Sequence, residues 1–341
     1  MRKVASLAVT AAVVLGTGLV PEARAALITI TNGIYTAHIE NTSGSWNAVT
    51  GASHPVGPGR NLLYSGTIVS TNFSSLRIFA DSGSPTYTAS GSGAGALNWN
   101  GFVTSAAPST TYVPAGQGYR MDWNISSRNV AFSQELAITG TTYANSAIYH
   151  TVTVTNNNAN SILIGWRNLY DWQVNDPVFD DGPSNAIEIG GVASVPTTTT
   201  EFAYTPVAGS YARVAAAPPP AGGATYEPLL GLGYDPGFIA ALPVTLPTEY
   251  DFASWPDSVG TAFDYTTSGQ NVTSDSAGLS WFGRDANSAI AIGAGQTVRF
   301  TQTIYAVPPG QQPGQQVPEP SLIALLAMGL AGLGLARSLR R

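Results

Sequence analysis

Between Ala26 and Tyr305 no stretch sustains the 3.6-residue apolar periodicity of an amphipathic helix, and this constrains the fold more than any single motif. Short alternating runs take its place, separated by turn residues, in a chain that holds 37 Gly and 23 Pro. Candidate strands are Leu27 to Thr31, Ile34 to Glu40, Ser45 to Thr50, Leu62 to Ser70, Leu76 to Ala80, Leu97 to Thr104, Tyr119 to Ile125 and Val130 to Ile138. They continue with Ala147 to Thr155, Ser161 to Trp172, Ala186 to Ala193, Leu279 to Gly283, Ala289 to Ile292 and Thr297 to Ala306. Asn32-Gly33 between the first two is a strong hairpin signal. In the last, Val298, Phe300 and Ile304 share one face while Arg299, Thr301 and Thr303 share the other, as in a half-buried antiparallel strand. Many strands without helices over this length predict an all-β chain, a large antiparallel β-sandwich over residues 26–306. Thr197 to Thr200 and the Pro/Gly-rich Ala215 to Ala224 are expected to be surface loops inside that one domain.

The chain has no cysteine, so no disulfide framework supports it, and thiolate metal sites and thiol catalysis are excluded. Eight arginines face eighteen carboxylates between Ala26 and Tyr305, a net charge of about −10. Such a domain repels a polyanion, and nucleic-acid binding is excluded.

Both ends differ in character from the middle. Arg2 and Lys3 precede an apolar run from Val4 to Val20, and Ala23-Arg24-Ala25 supplies the small residues that signal peptidase needs. Residues 1–25 therefore read as a signal peptide cut between Ala25 and Ala26; a first transmembrane helix is the alternative. Residues 307–316, rich in Pro, Gly and Gln, read as a flexible tether. Beyond them Val317-Pro318-Glu319-Pro320-Ser321 precedes an uncharged run, Leu322 to Ala336, and then Arg337-Ser338-Leu339-Arg340-Arg341. The run is short for a membrane span, and about 321–339 suffices once Arg337 extends its guanidinium to the interface. The arginines would stay cytoplasmic and the domain would lie on the far side. Physics alone leaves open an ordinary C-terminal anchor.

The order of these three parts in 317–341 resembles the PEP-CTERM sorting signal. The resemblance implies an exported protein of a Gram-negative, exopolysaccharide-producing bacterium. It also implies exosortase cleavage near Pro318-Glu319-Pro320 after transient insertion of the helix, with delivery to the cell surface or matrix. Val317, Pro318, Glu319, Pro320, Arg337, Arg340 and Arg341 carry the signal. The pattern Tyr149 to Asn156, then Asn168-Leu169-Tyr170-Asp171-Trp172, then Gly293-Ala294-Gly295-Gln296 before the last strand, resembles galactose-mutarotase-like proteins. That implies a supersandwich, with no catalytic residue carried over.

Two clusters could carry ligand chemistry. Asp171, Asp176, Asp180 and Asp181 crowd hard oxygen ligands on a Gly-containing loop, which suits Ca²⁺, although their spacing is not that of an EF-hand. Solvated turn carboxylates are the alternative. Trp166, Tyr170 and Trp172 alternate just ahead of that loop and could stack on sugar rings beside the carboxylates, or fill a core. His150 shares parity with Ile148, Val152 and Val154, so it is expected in the core. No nucleophile elbow, zinc-protease motif or phosphate loop occurs. The expected role is a non-enzymatic structural or adhesive one in a polysaccharide-rich envelope, with signal peptidase and exosortase as partners. A carbohydrate-binding or carbohydrate-active sandwich is the alternative.

Overall fold

The computed structural model describes residues 25–64, 71–79, 83–89, 95–173, 185–190, 195–216, 227–233, 245–272 and 275–308. In chain order the strands are β1 (Leu27–Thr31), β2 (Tyr35–Glu40), β3 (Trp46–Thr50), β4 (Phe73–Phe79), β5 (Thr86–Thr88), β6 (Leu97–Asn98), β7 (Val103–Pro108), β8 (Gly118–Ile125), β9 (Val130–Thr139) and β10 (Ala147–Asn156). They continue with β11 (Ile162–Trp172), β12 (Asn185–Gly190), β13 (Val195–Thr198), β14 (Phe202–Tyr204), β15 (Tyr211–Ala216), β16 (Glu227–Gly231) and β17 (Glu249–Ser254). One helical turn, α1 (Trp255–Val259), precedes β18 (Ser276–Phe282), β19 (Ile290–Ile292) and β20 (Thr297–Val307).

These strands form a nine-stranded sheet, β13-β12-β15-β16-β20-β10-β9-β8-β7, and an eight-stranded one, β14-β17-β18-β11-β4-β5-β6 with β19 beside β11. A three-stranded sheet, β1-β2-β3, packs against the sandwich: the Trp46 ring lies 5.4 Å from His150, and Ala306 N–H donates to the Tyr35 hydroxyl. Pairing is antiparallel except between β5 and β6. The fold is thus mostly β and antiparallel, as the alternation predicts.

The core lies between the two large sheets. Phe132 of β9 meets Trp166 of β11 at 5.6 Å, and Phe300 of β20 stacks on Phe282 of β18 at 4.6 Å. Trp99 and Trp123 join them, and their indole N–H groups donate to the carbonyls of Ser43 and Thr42, so burial leaves neither donor unpaired. Inside this apolar layer sits a polar seam. Asn168 and Tyr170 of β11 both donate to Gln302 Oε1 of β20, at 2.7 Å each, and Gln302 donates to Ser280 of β18. His150 Nε2 lies 3.0 Å from Gln134 Oε1, and Ser74 bridges Gln134 to Asn168.

Several expectations change in detail. At the first hairpin Gly33, with φ of 88°, takes the first of the two central turn positions, and Asn32 Oδ1 accepts from the N–H groups of Ile34 and Tyr35. The turn therefore resembles type II′, where Gly leads, rather than the I′ turn that Asn-Gly favours. The strand expected over Leu97 to Thr104 is interrupted by a 3-10 turn, Asn100–Phe102, beside the buried Trp99. Of the strand expected over Leu62 to Ser70, the described part shows only the bridge from Leu63 to Trp172. Strands β13 and β15 claim Thr197-Thr198 and Ala215-Ala216 from the expected loops, because a long-range partner outweighs a poor local pattern. The strand from Thr297 is not half-buried: beyond Phe300 both of its faces are covered.

Candidate functional site

The outer face of the eight-stranded sheet carries charged side chains on its central strands. Strands β11, β18 and β17 run side by side. Register places Arg167, Trp281 and Glu249 in one cross-strand row and Leu169, Leu279 and Asp251 in the next. Antiparallel partners share a face, so alternation that sends Trp166, Asn168 and Tyr170 inward sends Arg167, Leu169 and Asp171 outward.

The chain's own segment after β17 covers this face. Arg167, fully buried, donates to Thr261 Oγ1 (2.9 Å), to the Thr261 carbonyl (2.9 Å) and to the Phe263 carbonyl (3.2 Å). Its Nε has no acceptor, and burial pulls the guanidinium down to about 9. Arg77 donates to Thr86 and pairs with Asp264 at 2.5 Å, its guanidinium 4.5 Å above the Phe263 ring. Arg284 lies over Trp281 and pairs with Glu249. Glu201, just ahead of β14, ties the covering segment down by accepting from Ser254, Tyr265, Ser268 and Gln270.

Asp251 is the anomaly on this face. It is fully buried, neither carboxyl oxygen has a hydrogen-bond donor, and Arg284 approaches only to 3.7 Å. Burial first, and the negative charge of Glu249 second, push its pKa up to about 8 against the pull of Arg284. The carboxyl therefore keeps its proton at neutral pH and can donate a hydrogen bond, beside a carboxylate that cannot. A raised folded-state pKa favours the folded state at pH below the unfolded value near 4, and that contribution is lost as pH rises through about 8. Asp251→Asn should therefore raise the melting temperature by at least about 2 °C at pH 8 and by nothing measurable at pH 4. Calorimetry at the two pH values checks it, and an equal change at both would show that the buried charge is not the cause.

Trp166, Tyr170 and Trp172 are all fully buried, so no ring face is open to a sugar; they fill the core, because each points between the sheets. Trp46, Trp99, Trp123 and Trp281 are buried as well. Asp171 is buried on the outer face, its N–H donating to Asn72 Oδ1 at 2.6 Å. Asp176, Asp180 and Asp181 lie outside the described residues, and no group of three or more metal-ligating side chains occurs among the described ones. Ala23 and Val317 to Arg341 also lie outside them, while Ala26 N–H donates to Asn41 Oδ1 just before β1. No described helix is long and apolar enough to cross a membrane. Arg167, Glu201 and Asp251 were not singled out by sequence. An arginine alternating with Trp166 and Asn168 in a buried strand was the one available signal.

Residues 316–341 match the PEP-CTERM protein-sorting motif. No curated protein matches the chain. Among solved structures, a galactose mutarotase-like protein from Clostridium acetobutylicum superposes with a TM-score of 0.50 at 8% identity, over 82% of this chain and 94% of its own. A candidate aldose 1-epimerase from Escherichia coli K12 gives 0.49 at 12%, over 83% and 99%. A galactose mutarotase-like protein from Lactobacillus casei gives 0.47 at 9%, over 83% and 100%. At such identities the likeness is one of fold. The tail implies an exported, surface-sorted substrate of an exosortase, and its β-domain is similar to the mutarotase-like supersandwich.

Proposed function

We propose that this is a surface or matrix protein of a polysaccharide-rich envelope, whose β-domain has a structural or adhesive role and no enzymatic one. The supporting observation is how the outer face of the eight-stranded sheet is used. Arg77, Arg167 and Arg284 are engaged by Asp264, Thr261, Phe263, Glu249 and Tyr265 of the same chain. A catalytic face would leave such groups ready for substrate. Signal peptidase would release residues 1–25, and the apolar run near 321–339 would hold the domain at the inner membrane until exosortase acts. Deleting Val317 to Arg341 should change both mature mass and location in the producing cell. Identical mass and location for truncated and full-length chains, by mass spectrometry and fractionation, would refute the sorting step.

Asp251 favours a second reading. A protonated carboxyl beside a carboxylate is a recognised arrangement for acid–base work on sugars. Because Asp251 is fully buried, this reading requires the covering segment to move aside for a sugar to reach it. The relatives' names suggest the reaction to try, exchange between the anomers of an aldose, followed by NMR. Faster exchange with the wild type, abolished by Asp251→Asn, would establish that reading in place of the first.

A further inference from the structure

The opposite side of the sandwich carries a feature of its own. On the outer face of the nine-stranded sheet a depression of about 370 Å³ opens over β7 to β10, within the ~300–1,000 Å³ range of small-ligand clefts. Register builds it as a grid. Asp122, Ser133 and Thr153 form one cross-strand row, and Asn124, Ala131 and Thr155 form the next. Rows on one face lie about 7 Å apart and strands about 4.8 Å, so hydroxyl, amide and carboxylate groups recur in two dimensions.

We infer that this groove is a binding site for a neutral carbohydrate chain, and thus the adhesive surface of the domain; the inference rests on the structural or adhesive reading above. Three observations carry it. First, Arg120 donates through Nε (2.9 Å) and Nη2 (2.8 Å) to the same oxygen of Asp122, which leaves Oδ2 of that carboxylate for a ligand hydroxyl. A fixed guanidinium–carboxylate pair offers donors and an acceptor side by side, which suits vicinal hydroxyls. Second, charge in and beside the groove balances. Arg120 and Arg299 face Asp122 and Glu135, and Glu135 lies buried against Ser109. A polyanion gains no net attraction there and is repelled by a domain with ten excess negative charges. Third, Ala131 leaves the floor of its row low between Asn124 and Thr155, so the grid is concave where a larger side chain would fill it.

The test uses the full chain in zwitterionic detergent micelles. Titration calorimetry measures binding of neutral glucose hexasaccharides with β-1,4, β-1,3 and α-1,4 linkages, and of a hexamer of galacturonate. Two variants probe the groove. Ala131→Ile raises the floor with a residue that strands favour, and Arg120→Ala combined with Asp122→Ala removes the pair without leaving a lone charge. The expected result is binding of at least one neutral hexasaccharide, weakened about tenfold or more by each variant, with melting temperatures within about 3 °C of wild type. Absence of binding by all three neutral hexasaccharides, preferential binding of the galacturonate hexamer, or binding untouched by Ala131→Ile would overturn the site. Turnover of a bound hexasaccharide that both variants still weaken would keep the groove and refute only the non-enzymatic reading.

Discussion

Acidification from pH 7 to 4 should destabilise the β-domain by about 3 kcal/mol through His150 alone. The imidazole is buried between the sheets, its Nε2 3.0 Å from Gln134 Oε1, its Nδ1 3.4 Å from the Tyr170 hydroxyl, and its ring against Trp46. No carboxylate among the described residues offsets the burial, which lowers its pKa to about 3. Turning the Gln134 amide so that Nε2 faces His150 and Ser74 gives the neutral ring an acceptor role at Nε2 and a donor role at Nδ1 towards Tyr170. A second proton would bury a cation between the sheets, and that desolvation is what disfavours the charged ring. The unfolded chain takes up a proton near pH 6.5 and the folded one only near 3, so stability falls as pH falls between these values. The full loss approaches about 5 kcal/mol. Urea unfolding of wild type and His150→Gln at half-unit intervals isolates this contribution. If the two stability profiles stay parallel from pH 7 to 4, the buried neutral imidazole is not the source of acid lability.

Glu201 gives the second large effect. Its carboxylate accepts from Ser254 N–H (2.9 Å), Tyr265 Oη (2.5 Å), Ser268 N–H (2.8 Å), Ser268 Oγ (2.9 Å) and Gln270 Nε2 (3.3 Å). Five donors converge on two oxygens and hold the segment that covers Arg167. Hydrogen bonds to a charged group contribute about 1.5–3 kcal/mol each, without simple additivity. Glu201→Ala removes the acceptor from several donors at once and is expected to lose about 3–5 kcal/mol. Burial alone would raise the pKa of this carboxyl, but the donors outweigh it and hold it below the usual range. Its stabilisation is therefore present above the unfolded value near 4.5 and is lost as pH falls through the lower folded value. Glu201→Gln should lose less than Ala and flatten the profile below that pH. Hydrogen exchange gives the local readout: amides of 261–270 should lose protection in Glu201→Ala before those of β10 and β11 do. Uniform loss across the domain would rule out a local tie.

How far the sequence revealed this site depends on the kind of information each residue carries. Parity assigned His150 to the core correctly, because alternation along one strand fixes a face whatever the neighbours are. It could not say that His150 meets Gln134 and Tyr170, since that depends on which strands pair and which sheets oppose. Glu201 shows the same limit: its donors lie 53 to 69 residues onward and share no local pattern with it. Strands β13 to β17 escaped because Pro, Gly and Thr-rich segments give weak alternation, and their edges are completed by β20 and β18 from far along the chain.

The sequence by itself determined the all-β class, the acidic cysteine-free domain and the sorting tail. Each rests on composition, on period along one strand or on an ordered linear motif, none of which needs a partner in space. Only the tertiary structure decided that Trp166, Tyr170 and Trp172 face the opposite sheet rather than a ligand. It likewise decided that Arg167 lies under Thr261 and Phe263, and that Arg120, Asp122, Ser133 and Thr153 share one groove. Those outcomes depend on register between strands distant in the chain, where a slip of one residue would send every side chain to the other face.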